Sequence, residues 1–171
     1  MSVIFRRFLS ISFLLACACE FSAYAQEDES LVMHGLNYPN ACSVAEKNKL
    51  KEMLTRARVV EEAQLWRALD TILCAPDNDV TRAYLRSLVP AKVREDIEST
   101  GDKPSVKMMA RNEKLIGKLI AAGKAWDATV EEDQFGHVTL QYFADEACVK
   151  GTTFAHANSK WYVYQIGQAC D

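Results

Sequence analysis

The stretch WDATVEEDQFGHVTLQYFADEACVKGTTFAHANSKWYVYQIGQACD, Trp126 to Asp171, decides the fold class. Apolar and polar residues alternate in short runs separated by turn chemistry, which predicts four antiparallel strands over 126–132, 137–143, 147–155 and 160–167. Asp133-Gln134-Phe135-Gly136 suits a type I turn followed by a left-handed glycine, the loop that closes a hairpin through a G1 bulge. That loop pairs even positions with even positions. Trp126, Ala128 and Val130 then share a face with Val138, Leu140 and Tyr142.

Upstream of this meander the sequence reads as helix. Ser43-Val44-Ala45-Glu46 is a capping box that starts a helix at Val44. No Gly or Pro interrupts the chain from there to Cys74, and Leu50, Met53, Leu54, Ala57, Val60, Leu65, Leu69, Ile72 and Leu73 keep an approximate three-to-four spacing. One straight helix of that length would hold its ends about 45 Å apart. Bridged cysteines sit roughly 5.5 Å apart. If Cys42 pairs with Cys74, the run folds back near residues 55–60 into an αα-hairpin. Asp79 is read as the N-cap of a helix over 80–87. Pro90 suits the first turn of another over 90–98, closed by Gly101. Ser105 is read as the cap of a last helix over 106–122, with Met108, Met109, Asn112, Leu115, Ile116 and Leu119 on one side and Gly123 as its stop.

The predicted class is therefore α+β: an αα-hairpin and two or three further helices packed on a C-terminal four-stranded antiparallel meander. This order of elements resembles that of the nuclear-transport-factor-2-like cone folds. The resemblance covers element order and brings no motif with it.

The N-terminus carries Arg6 and Arg7, an apolar run from Phe8 to Cys19, and Ala23-Tyr24-Ala25, the small-x-small pattern cleaved by signal peptidase. Residues 1–25 are read as a signal peptide and 26–171 as one domain in the periplasm or outside the cell. Leu14-Leu15-Ala16-Cys17 also resembles a lipoprotein box, which would place a lipid anchor on Cys17. The apolar run is too short for a stable membrane span. Residues 26–40 read as an acidic, loop-like arm. Cleavage removes Arg6, Arg7 and Glu20 and moves the formal charge from −3 to −4, which disfavours a nucleic-acid partner.

Four cysteines remain, Cys42, Cys74, Cys148 and Cys170, an even count in an exported chain. Neither Cys-x-x-Cys nor a neighbouring His supplies the spacing of a zinc site. The turn around Ser159 sets Cys148 opposite Cys170, along with Thr152 opposite Ile166 and Phe154 opposite Tyr164. Cys42 then pairs with Cys74.

No catalytic set, metal site or cofactor motif assembles from these residues. The histidines are His34, His137 and His156, no Gly-x-Ser-x-Gly is present, and no glycine-rich loop precedes a helix. In an up-and-down meander the first and third turns share an end. That end gathers Glu132, Asp133, Phe135, His137, His156, Asn158 and Lys160, a candidate contact surface, with a two-histidine-plus-carboxylate metal site as the lesser reading. The reading is an exported protein-binding domain, an inhibitor or immunity protein neutralising an envelope-acting toxin or hydrolase, with Phe135 as a plug. The alternative is a small-ligand pocket lined by Trp66, Trp126 and Trp161, or a carboxylate-dependent envelope hydrolase using Glu61-Glu62, Glu131-Glu132-Asp133 or Asp145-Glu146.

Overall fold

Two helices occupy the glycine-free run after Ser43: α1, Val44–Ala57, and α2, Glu62–Cys74, within a computed structural model that describes residues 31–33, 36–99 and 103–171. The signal-peptide reading of 1–25, the lipid-anchor reading of Cys17, and the readings of His34 and Gly101 lie outside the described residues. The Ser43 hydroxyl accepts from the Glu46 amide at 3.2 Å, as a capping box requires. The chain reverses between Arg58 and Glu61, both in the left-handed region at φ 53° and 49°. Side chains pay a steric cost there, and Trp161 holds the reversal in place. Its indole N–H donates to the Val60 carbonyl at 2.9 Å, and its backbone N–H donates to Gln64 Oε1 at 2.7 Å. At the other end the Cys42–Cys74 disulfide joins the helices with Cα atoms 5.6 Å apart. The αα-hairpin and this bridge match the expectation. Helix α3, Asp79–Leu88, follows, capped by Asn78 rather than by Asp79.

The four-stranded meander is corrected to a six-stranded mixed sheet. Where helices were expected over 90–98 and 106–122, the chain forms β3, Lys92–Ser99, and β4, Ser105–Ala110, before a short helix α4, Glu113–Leu119. Strand β3 pairs antiparallel with β4 and parallel with β8. Long-range pairing of this kind overrides local helix propensity. Asn112, not Ser105, caps α4, its carboxamide oxygen accepting from the Leu115 amide at 2.9 Å. Met108 consequently lies on an edge strand and is 63% exposed, while Met109 is half-buried against the core.

The remaining strands are β5, Trp126–Glu132, β6, Val138–Phe143, β7, Cys148–Ala157, and β8, Lys160–Cys170. The order across the sheet is β4-β3-β8-β7-β6-β5. Since β3 and β4 precede α4, the order of helices first and strands last is corrected too. Gly136 takes φ 76°, and Val130 pairs with Leu140 and Glu132 with Val138, the register its turn predicts. Two bulges are superimposed. One at Asp127, φ 48°, brings Trp126 opposite Phe143. The other sets Phe154 opposite Val163 instead of Tyr164. Cys148 and Cys170 are register partners joined by a disulfide, with Cα atoms 4.1 Å apart.

The sheet buries one face against the helices. Ala128, Val138, Leu140, Phe154 and Val163 are fully buried there in one core with Leu50, Leu54, Leu69 and Ile72. The arm is not wholly loop: β1, Leu31–Met33, pairs with β2, Leu36–Tyr38. The Tyr38 ring stacks on Trp126 at 4.3 Å, and Trp126 on Phe143 at 4.5 Å. The other face of the sheet, called the outer face below, carries no helix among the described residues.

Candidate functional site

The turn between β5 and β6 is built by one carboxylate. Asp133 Oδ1 accepts from the amides of Phe135 and His137 at 2.8 and 2.9 Å, and its Oδ2 meets His137 Nδ1 at 2.9 Å. Partial desolvation pushes the Asp133 pKa up, while the two amides and the imidazole pull it down by more, leaving it below the ordinary carboxylate range. The loop thereby presents Phe135, which is 74% exposed. The His137 ring stacks on Tyr164, with centroids 4.8 Å apart and planes 11° from parallel. Phe135 follows in the same row, 6.1 Å from His137. Tyr164 is the extra residue at the β8 bulge, and a bulge re-aims a side chain in this way.

Asp133, Phe135 and His137 are thus one cluster, completed by Tyr164, which the sequence reading did not include. Asn158 and Ser159, at φ 52° and 58°, make the tight turn before Lys160 at the same end of the sheet. Glu132 is exposed and pairs with Val138. His156 goes elsewhere: it shares the inner parity of Phe154, pairs with Trp161, and tilts against that indole at 5.1 Å. His137 lies on the outer face, so the two histidines do not converge. Among the described residues no group of three His, Cys, Asp or Glu is placed to hold a metal ion.

The outer face also holds an open groove of about 330 Å³. Its floor is the glycine pair Gly151 and Gly167, which are register partners. Thr139 and Thr153, whose hydroxyls meet at 2.9 Å, and Gln141 stand on one side. On the other, Asp96 is bound by the Arg94 guanidinium at 2.8 and 3.0 Å and accepts from Gln165 Nε2 at 2.9 Å. The glycine pair was within reach of sequence. The register that sets Cys148 opposite Cys170 also sets Gly151 opposite Gly167.

On the inner face Glu95 is the one buried acidic residue among the described residues, at 4% exposure. Lys118 of α4 reaches one carboxylate oxygen at 2.6 Å and Lys107 of β4 the other at 3.1 Å. Burial pushes the Glu95 pKa up, and the two lysines pull it down by more. Tyr142 and Thr152 border the same space, a cavity of about 40 Å³. Burial lifts the Tyr142 phenol to about 12. A volume of that size suits a water molecule or two, whereas small-molecule pockets run from about 300 Å³. Trp126 and Trp161 are buried core residues, and Trp66 lies half-buried under the Lys51 ammonium at 4.8 Å. None of the three tryptophans lines the outer groove or the inner cavity.

No family model matches the chain, and no curated protein matches it. The chain is similar to a solved structure, the crystal structure of a DUF4783 family protein from Bacteroides uniformis ATCC 8492. The two share 16% identity over 53% of this chain and 86% of that one, with a TM-score of 0.35, a likeness too loose to bear on fold or function.

Proposed function

We propose that this chain is an exported protein-binding domain, an inhibitor or immunity protein that neutralises an envelope-acting toxin or hydrolase, and that it meets its partner with the outer sheet face and the β5–β6 tip. One observation carries the reading. Of the seven large apolar side chains exposed among the described residues, four, Phe135, Tyr164, Val106 and Met108, belong to the tip and this face. Val106 and Met108 pair with Asp96 and Arg94, which places them on the outer side. Exposed apolar patches with a polar rim mark interaction surfaces. The two disulfides support export to an oxidising compartment, periplasmic or extracellular. No helix among the described residues is long and apolar enough to cross a membrane.

Phe135 is the natural plug. Asp133 fixes the backbone on either side of it, so little ordering remains to be done on binding. Burial of such a ring in a cleft would contribute about 1.5–3 kcal/mol. Glu132 and Asp133 beside it favour a partner with basic groups around that cleft. One observation weighs against the hydrolase reading: every carboxylate with a perturbed pKa among the described residues is shifted downward. A general acid needs the opposite.

The test is capture of a partner from envelope extract by the exported protein, followed by affinity measurement with Phe135→Ala. A loss of roughly tenfold or more, about 1.4 kcal/mol, at unchanged melting temperature is expected. Equal affinity of the two forms would remove the tip from the interface.

A further inference from the structure

At the centre of the outer face two adjacent strands carry glycine where a strand ordinarily carries a side chain. Register aligns Val106, Asp96, Gly167, Gly151 and Gln141 in one row across β4, β3, β8, β7 and β6. Neighbouring strands lie about 4.8 Å apart, so the missing side chains leave a gap as wide as one ring, walled by Asp96 and Gln141. A glycine inside a strand weakens it and otherwise signals a special backbone angle, a bulge, or the close approach of another group. Positive φ is confined, among the described glycines, to Gly123 and Gly136. The β7–β8 register shift falls between Thr153 and Phe154, away from both. A Cβ at Gly151 would meet nothing within 4 Å, and one at Gly167 only the Asp96 carbonyl at 3.7 Å, an ordinary contact. Nothing within the described chain needs this space.

We infer that the Gly151–Gly167 saddle receives an aromatic side chain of the partner polypeptide, a tyrosine or tryptophan laid flat on the exposed backbone. The inference builds on the reading of the outer face as the binding surface. Within sheets, aromatic rings cover glycines and restore the packing that glycine lacks. Here that cover comes from outside the chain. The walls suit the polar handle of such a ring, because the carboxylate of Asp96 and the amides of Gln141 and Gln165 accept from a phenol O–H or an indole N–H. Among the described residues no lysine or arginine lines the groove, and the nearby Arg94 guanidinium is already held by Asp96. A phosphate or carboxylate ligand would find no free counter-charge among these residues. Buried aromatic anchors of this kind dominate binding energy at protein interfaces.

The experiment is an NMR titration of the exported protein with N-acetyl-tyrosinamide, with N-acetyl-leucinamide and maltotriose as comparators. The tyrosine derivative is expected to move the Gly151 and Gly167 Cα protons upfield, the signature of a ring face above them, and the leucine derivative to leave them in place. Gly151→Val is expected to weaken this response roughly tenfold or more without lowering the melting temperature, and Gly167→Ala gives a milder second variant. Equal responses to leucine and tyrosine, glycine shifts caused by maltotriose alone, or an undiminished response in Gly151→Val would each overturn the saddle as an aromatic site. Shifts confined to Phe135, His137 and Tyr164 would also overturn the saddle while leaving the outer face as the binding surface.

Discussion

The imidazole of His137 lies flat against the ring of Tyr164, 4.8 Å between centroids, and so ties the tip of the first hairpin to the bulge in the last strand. Two segments separated by most of the meander thereby present one continuous aromatic row. Gln165, the residue after Tyr164, lines the groove that holds the glycine saddle.

Asp133 holds the front of that row, and its titration should be visible in the loop. Its folded pKa is depressed, so the stabilisation it supplies is present above the unfolded carboxylate value, about 3.9, and is lost as pH falls through the folded value. The amide protons of Phe135 and His137, which both donate to it, should shift together with a midpoint below that of an unperturbed aspartate. A midpoint at or above the ordinary value would mean the carboxylate does not organise the tip.

Gly151→Ala should stabilise the protein by about 0.4–1 kcal/mol, since alanine restricts the unfolded chain and its methyl group meets open space in the folded one. Urea melts would measure this. A loss of stability would assign the glycine to strand bending instead of to an external occupant.

Glu95 predicts an asymmetry between two ways of dismantling one ion cluster. Replacing both Lys107 and Lys118 with methionine strands a buried carboxylate and should cost on the order of 3 kcal/mol. Glu95→Gln should cost less, because the lysines it releases are already partly in water. The parent protein should lose the Glu95 contribution as pH falls through the depressed folded pKa, having held it in full above the unfolded value. Urea melts across acid pH would check both statements, and a costlier Glu95→Gln would contradict them.

The same carboxylate explains where sequence reading stopped. In β3 the inward positions are Val93, Glu95 and Ile97, and a charge in the middle conceals the alternation that marks a half-buried strand. Its partners come from β4 and α4, beyond the reach of any local window. Strand β4 is an edge with Met108 turned to water, so its apolar residues mimic a helix stripe. The β5–β6 and β7–β8 pairings were legible because Gly136 and the cysteine pair each fix one register independently, while the strands that complete the mixed sheet were not. The bulges at Asp127 and Tyr164 were not, since an extra residue leaves no compositional trace. The tip cluster at Asp133, Phe135 and His137 followed from turn chemistry. Tyr164 joined it only through the bulge.

The most direct test of the outer face as a binding surface is site-specific photo-crosslinking in cells that produce the full chain. A photoreactive phenylalanine replaces either Met108, exposed on the outer face, or Val80, exposed on α3. The account predicts one discrete protein adduct from position 108, diminished by Phe135→Ala, and none from position 80. An adduct from position 80 with none from position 108, or a position 108 adduct indifferent to Phe135→Ala, would contradict it.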